Sequence, residues 1–246
     1  LSTSVFDKKM SLYKDANITF VGCSRWLSGR AKKSYLLRGK AVLSIPNPID
    51  TKVYHPMDQG MARELLGLPS GKRLLLFGAL NVTDKRKGID YLIEALRRME
   101  KQDVELVVFG QVKDDIRGLF PVPIHSMGYL SDESKIVALY NAVDMFITSS
   151  LEENLPNTIM ESMACGTPCV GFEIGGIPEM IDHRVNGYVA NYKDAGDLAN
   201  GIQWVLEHED RLALSDACVK KVQENYTEEV VAKQYTTLYE KLLKGE

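Results

Sequence analysis

The stretch MFITSSLEENLPNTIMESMACGTPCVGF runs from Met145 to Phe172. Its first part, Met145–Ser150, is apolar and reads as a strand. Leu151–Pro156 is turn-like. Asn157–Ala164 reads as a helix, Gly166-Thr167-Pro168 stops it, and Cys169–Phe172 is strand-like again. Strand, helix and strand in so short a span make a βαβ unit, whose two strands lie parallel in one sheet.

The alternation extends both ways. Leu74–Ala79, Val104–Gly110, Ile124–Gly128 and Gly187–Ala190 read as further strands. Gly88–Glu100, with Ile89, Leu92, Ile93 and Leu96 at helical spacing, Asp132–Ala142 and Ile177–Ile181 read as helices between them. The pattern predicts an α/β fold, a doubly wound Rossmann-like parallel sheet with helices on both faces. From Asp194 onward the chain is helical: Asp194–Glu207, Asp210–Asn225 and Thr227–Leu243, with Asp194, Asp210 and Thr227 as N-caps. Ahead of the sheet, Asn17–Val21, Ser24–Leu37 and Ala41–Ile45 form a separate strand–helix–strand piece. Pro46 and Pro48, neither of which suits a central strand, then punctuate the chain. The expected organisation is that piece within residues 1–48, a linker at 49–56, the Rossmann-like domain at 57–226 and a terminal helix at 227–246.

Ligands of a parallel sheet bind at the carboxyl ends of its strands. Leu151–Pro156 is such a loop. Pro156 fits the first turn of the next helix, so the N–H groups of Asn157, Thr158 and Ile159 would face the crevice as an anion site. A helix N-terminus offers about half a positive charge. That is too little for a diphosphate lying beside Glu153 and Glu161. The loop after Leu74–Ala79 supplies cations: Lys85, Arg86 and Lys87. Arginine grips phosphate oxygens bidentately and lysine acts as a point charge. A carboxylate only accepts hydrogen bonds. The two glutamates therefore suit ribose or hexose hydroxyls, at about 1.5–3 kcal/mol per charge-assisted bond. Together these parts fit a nucleotide-sugar site. For Glu161 alone, an acidic residue placed for the helix dipole is an equal reading.

Several motifs carry a family resemblance. Glu153, Glu161 and Ser162–Pro168 resemble the signature of the retaining glycosyltransferases of family 4, which adopt the GT-B fold. Ile45-Pro46-Asn47-Pro48-Ile49-Asp50 resembles the family's interdomain linker, with Pro48 in place of the usual glycine. Lys87-Gly88, Gly175-Gly176-Ile177-Pro178-Glu179 and Asn186-Gly187-Tyr188 match in order. The resemblance spans roughly residues 17–243. It implies that Glu161 binds the donor ribose, Glu153 the transferred sugar and Lys87 the diphosphate. Backbone of Asn154, Leu155, Pro156, Asn157 and Thr158 would cover diphosphate and sugar, and Gly128, Tyr129 and Leu130 would border the base. Gly78 begins the first loop, where the family usually follows glycine with arginine. Here Ala79 follows, and Arg86 is the candidate substitute. Members of this kind need no metal, and His55, His125, His183 and His208 are scattered. The resemblance also implies a C-terminal donor-binding half with only the tail of an acceptor domain. Two outcomes are therefore expected: hexosyl transfer in the intact protein, or donor binding without transfer by this chain alone.

Net charge is −3, which argues against a dedicated nucleic-acid partner. The balance is uneven: residues 1–50 hold nine Lys/Arg against three Asp/Glu. The basic run Arg25–Lys40 would lie on the acceptor side, facing a phosphorylated acceptor or an anionic membrane surface; a solvated basic helix face is the simpler reading. Cys23, Cys165, Cys169 and Cys218 show no disulfide-like spacing, which fits a reduced, cytoplasmic chain. No apolar run approaches the roughly 18 residues of a membrane span, and no signal peptide is read. Base, sugar and acceptor are not encoded in any pattern recognised in the sequence.

Overall fold

The computed structural model describes residues 2–82, 84–99, 103–111 and 117–245. In chain order it holds α1 (Ser2–Lys14), β1 (Thr19–Gly22), α2 (Arg25–Lys32), β2 (Ala41–Ser44), α3 (Gln59–Leu66), β3 (Arg73–Asn81), α4 (Ile89–Arg98), β4 (Val104–Gln111) and β5 (Ile124–Gly128). There follow α5 (Glu133–Ala142), β6 (Met145–Thr148), α6 (Asn157–Ala164), β7 (Cys169–Phe172), α7 (Ile177–Met180), β8 (Gly187–Ala190), α8 (Ala195–Leu206), α9 (Arg211–Asn225) and α10 (Glu228–Lys244).

Six strands form one parallel sheet in the order β5-β4-β3-β6-β7-β8. Its central strand reads as an unbroken apolar run because both faces are covered. Leu74 and Leu76 point into one core with Phe146, Ile159 and Met163, whereas Leu75 and Phe77 point into the other with Ile147, Leu92 and Ile202. All four side chains are buried. Burial of each contributes about 1.5–3 kcal/mol. The chain leaves β3 toward β4 and β5, then returns to pair β6 with the opposite edge of β3. The topological switch point therefore lies between β3 and β6, and ligands of such sheets bind there.

β1 and β2 pair in parallel as a separate two-stranded sheet. Ile45, Val231 and Leu238 form a small core of their own, against which Val21 and Tyr235 pack. The start of α10 is tied to the segment after β2: Ile49 bridges Thr227, and its N–H donates to the Tyr226 carbonyl at 2.8 Å.

Three differences from the sequence reading have physical causes. Helix α1 and helix α3 were not expected. Helix α3 has clear stops, Asp58 capping the Met61 N–H and Gly67 closing it at φ 65°, but its apolar residues are split between the buried face (Ala62, Leu66) and the exposed one (Met61, Leu65). The helix expected over Ser24–Leu37 ends at Lys32, and a 3₁₀ turn at Tyr35–Leu37 replaces its last part. The break lets Tyr35 stack on Phe6 of α1, with ring centroids 6.3 Å apart. Strand β3 continues to Asn81 through a register shift after Gly78. The expected end of its helix at Glu100 lies outside the described residues.

Candidate active site

Two loops meet at the switch point, one after β3 and one after β6. Backbone contacts lace them together. The Leu151 N–H donates to the Arg86 carbonyl at 2.7 Å, and the Ser149 hydroxyl donates to the Lys87 carbonyl at 3.0 Å. Gly88 has φ +64°, and a Cβ there would stand 2.0 Å from the Ser149 carbonyl oxygen. A left-handed glycine is thus required twice over, by conformation and by proximity.

This lacing brings Lys87 to Glu153. The Lys87 ammonium lies 2.5 Å from Glu153 Oε1, and both side chains are mostly shielded, at 32% and 15% exposure. Arg86 also has a partner within the protein. Its guanidinium closes its own turn on Asp84, with Nη2 2.7 Å from Oδ2, and is 68% exposed. Hydrogen bonds from the Arg86 side chain and backbone pull the Asp84 carboxyl down to about 2.

Helix α6 spans Asn157–Ala164 as read from the sequence, with Pro156 outside its first turn as the N-cap residue at φ −69°, ψ 117°. The Ile159 N–H turns back to the Pro156 carbonyl at 3.1 Å. The Asn157 and Thr158 N–H groups head the helix, beyond reach of any carbonyl inside it. The Asn157 side-chain oxygen faces Asn47 Nδ2 at 3.4 Å. Leu155 and Pro156 are buried and anchor the turn.

Glu161 sits one turn into α6, where its Oε2 accepts a 2.8 Å hydrogen bond from the Tyr140 hydroxyl. Burial raises its carboxyl above the ordinary range; the Tyr140 bond opposes the rise and Glu133 adds to it. Burial and Glu161 together push the Tyr140 phenol well above its usual value. Tyr54 is raised by burial and then by Glu161 and Glu133. Tyr140, the hydrogen-bond partner of Glu161, left no signal in the sequence, since an aromatic residue at a buried helical position reads as core.

The remaining candidates are spread along the same edge of the sheet. Gly78 lies within β3, where a Cβ would stand 1.9 Å from the Phe109 ring, so its lack of a side chain is a packing requirement. Tyr129 and Leu130 follow β5, two strands away from β3; Tyr129 is exposed and Leu130 packs on the core. Asn154 turns its side chain away from the crevice edge toward the first unit. Its Oδ1 accepts from the Ser24 hydroxyl at 2.6 Å and its Nδ2 donates to Cys23 Sγ at 2.9 Å. Its carbonyl accepts the Gly176 N–H at 2.5 Å, and a Cβ on Gly175, at φ +60°, would stand 1.9 Å from the Glu153 carbonyl oxygen. The Gly175-Gly176 pair thus supports the Glu153 loop from beneath.

The geometry is matched by likeness to known proteins. Residues 71–208, more than half of the chain, match the family described as glycosyl transferases group 1. The chain belongs to the group 1 glycosyltransferases. Among its curated relatives is N-acetyl-alpha-D-glucosaminyl L-malate synthase of Bacillus anthracis, 25% identical over 213 residues. That alignment takes in 84% of this chain and 55% of the relative. This group 1 glycosyltransferase therefore spans about half the length of that relative. Sucrose-phosphate synthase of Thermosynechococcus elongatus superposes with TM-score 0.81 at 22% identity, over 99% of this chain and 63% of the other. Anabaena HepE, solved with UDP and glucose, gives 0.78 at 18%, over 98% and 67%. At such identities the two structures establish the shared GT-B-type fold.

Proposed function

We propose that this chain holds a nucleoside diphosphate sugar for hexosyl transfer with retention at the anomeric carbon. The observation that carries the reading is the Lys87–Glu153 pair beside the N-terminus of α6, at the switch point of the sheet. The Asn157 and Thr158 N–H groups and Lys87 face the diphosphate, which collects the electron pair when its bond to the sugar breaks. Glu153 gives up Lys87 in part and accepts from sugar hydroxyls. Glu161, steadied by Tyr140, accepts from the ribose diol. In this reading the charge of the diphosphate is met by Lys87 and the N-terminus of α6. HepE, solved with UDP and glucose, supports a donor of this class.

The test is calorimetric titration of the protein with the donor selected by a thermal-shift screen of UDP-, GDP- and ADP-sugars. A ligand at 100 times its dissociation constant adds about 2.7 kcal/mol to stability. Lys87→Ala and Glu161→Ala are each expected to weaken the selected donor more than tenfold. Unchanged affinity in both would refute the reading.

A second reading, donor binding without transfer by this chain alone, is favoured by the small size of its first unit, two strands and their helices. Release of free sugar-transfer product by the purified chain would exclude it. The acceptor side carries the basic residues of the first fifth together with exposed Phe6, Trp26 and Tyr35. Those groups suit an anionic acceptor or a membrane surface bearing one. Among the described residues no helix is long and apolar enough to cross a membrane.

A further inference from the structure

The first unit and the donor loop are joined by a chain of polar contacts. The first two N–H groups of helix α2 are satisfied from outside its own unit. The Arg25 and Trp26 N–H groups donate to the two oxygens of Glu179 at 2.9 and 2.7 Å, and Arg25 Nε adds a 3.2 Å contact. The Leu27 N–H donates to Ser24 Oγ at 3.0 Å, and the same hydroxyl donates to Asn154 at 2.6 Å. Asn154 follows Glu153 directly, and its carbonyl is held by Gly176, three residues before Glu179. Glu179 is itself fixed through its carbonyl, which accepts from the Tyr226 hydroxyl at 3.2 Å. A carboxylate at a helix N-terminus gains from both the free N–H groups and the macrodipole.

We propose that Glu179, Ser24 and Asn154 form a latch through which the position of α2 sets the loop that carries Glu153. None of the three need touch the donor: they are positioning residues. Glu179 grips the start of α2, Ser24 passes that placement to Asn154, and the loop Leu151–Pro156 moves as one body with α2. When the latch is closed, Glu153 is held against Lys87; when α2 swings away, Asn154 loses both side-chain partners and Glu153 loses its support on that side. The catalytic importance of this coupling rests on the donor-site reading above, but the coupling itself is testable without any ligand.

The test is amide hydrogen exchange on the whole chain, resolved to single residues. The reporters are the Leu151 N–H, which donates to the Arg86 carbonyl, and the Gly176 N–H, which donates to the Asn154 carbonyl; because the Glu179 N–H donates to the Gly176 carbonyl, Leu151 is the decisive one. In Glu179→Ala and in Ser24→Ala, both reporters are expected to exchange at least tenfold faster, while the Leu76 and Val107 amides in the sheet keep their protection. Ser24→Thr keeps the hydroxyl and is expected to restore the native rates. Acceleration confined to the Arg25 and Trp26 amides would overturn the latch, because Glu179 would then be a local cap. Equal acceleration of the sheet amides in both Glu179→Ala and Ser24→Ala would overturn it as well. Failure of every nucleotide sugar to bind would leave these rates unaffected and bear only on the donor-site reading.

Discussion

Glu161 must carry its charge in a largely enclosed place, with Glu133 nearby and the Tyr140 hydroxyl against it. Its folded-state pKa lies above the ordinary carboxylate value, so between those two values the folded chain binds more protons than the unfolded one. Stability then falls as pH rises through that window, and the penalty is complete above the folded-state value. Glu161→Gln keeps an acceptor for Tyr140 and removes the charge. It is expected to raise the melting temperature at pH 7, with the gain shrinking toward pH 4, where the native carboxyl is protonated too. A lower melting temperature for Glu161→Gln at pH 7 would contradict this. The sequence places both glutamates near the helix start, and their chemical type limits them to accepting hydrogen bonds. What it hides is who steadies them. Lys87 reaches Glu153 only because Gly88 can adopt a left-handed turn against Ser149, and Tyr140 reaches Glu161 across 21 residues. Arg86 has a local partner that the sequence reading did not name. Its charge suggested phosphate, but Asp84 two residues earlier completes a local turn that captures it.

At the scale of elements, a buried ionic hub ties the amino ends of the sheet to its helices. Asp144, just before β6, is nearly inaccessible and accepts from Arg63 of α3 at 3.1 Å, Arg211 of α9 at 2.7 Å and the Leu74 N–H of β3 at 2.7 Å. The remaining Arg63 donors go to the carbonyls of Ala142, Ser70 and Lys72. Removing one partner of such a set strands buried charge and typically costs about 3–5 kcal/mol. Asp144→Ala is expected to lower the urea-unfolding free energy by that order, and a change under about 1 kcal/mol would show that the arginines relax into solvent. This hub explains α3. Its buried face mixes Arg63 with Ala62 and Leu66 while Met61 and Leu65 lie exposed, so its apolar residues form no clean stripe. The strands, by contrast, were legible because each alternate residue of Leu74–Phe77 has its own apolar core to enter.

For the molecule as a whole, the terminal helix is the bond between its two units. Val231 and Leu238 of α10 close on Ile45, and Thr227 pairs with Ile49. Leu238→Asp would place a charge in that small core. The expected result is faster tryptic cleavage at Lys233 and Lys241, with the main sheet retaining its melting temperature. A matching loss of sheet stability would show that α10 belongs to the larger core. The sequence alone suggested that this helix must find a distant surface, because the sheet is complete before it begins. It could not show that α7 also reaches the first unit, since one Glu179 contact pairs residues more than 150 positions apart. The lacing of the two site loops has a further consequence for inheritance and for engineering. Because the Leu151 N–H and the Arg86 carbonyl complete each other's bonding, the segments around them cannot be exchanged singly with those of another member. A chimaera that imports one loop alone leaves an amide and a carbonyl facing a foreign backbone. The two segments are expected to recombine as a pair, although the bonded positions lie 65 apart in the chain.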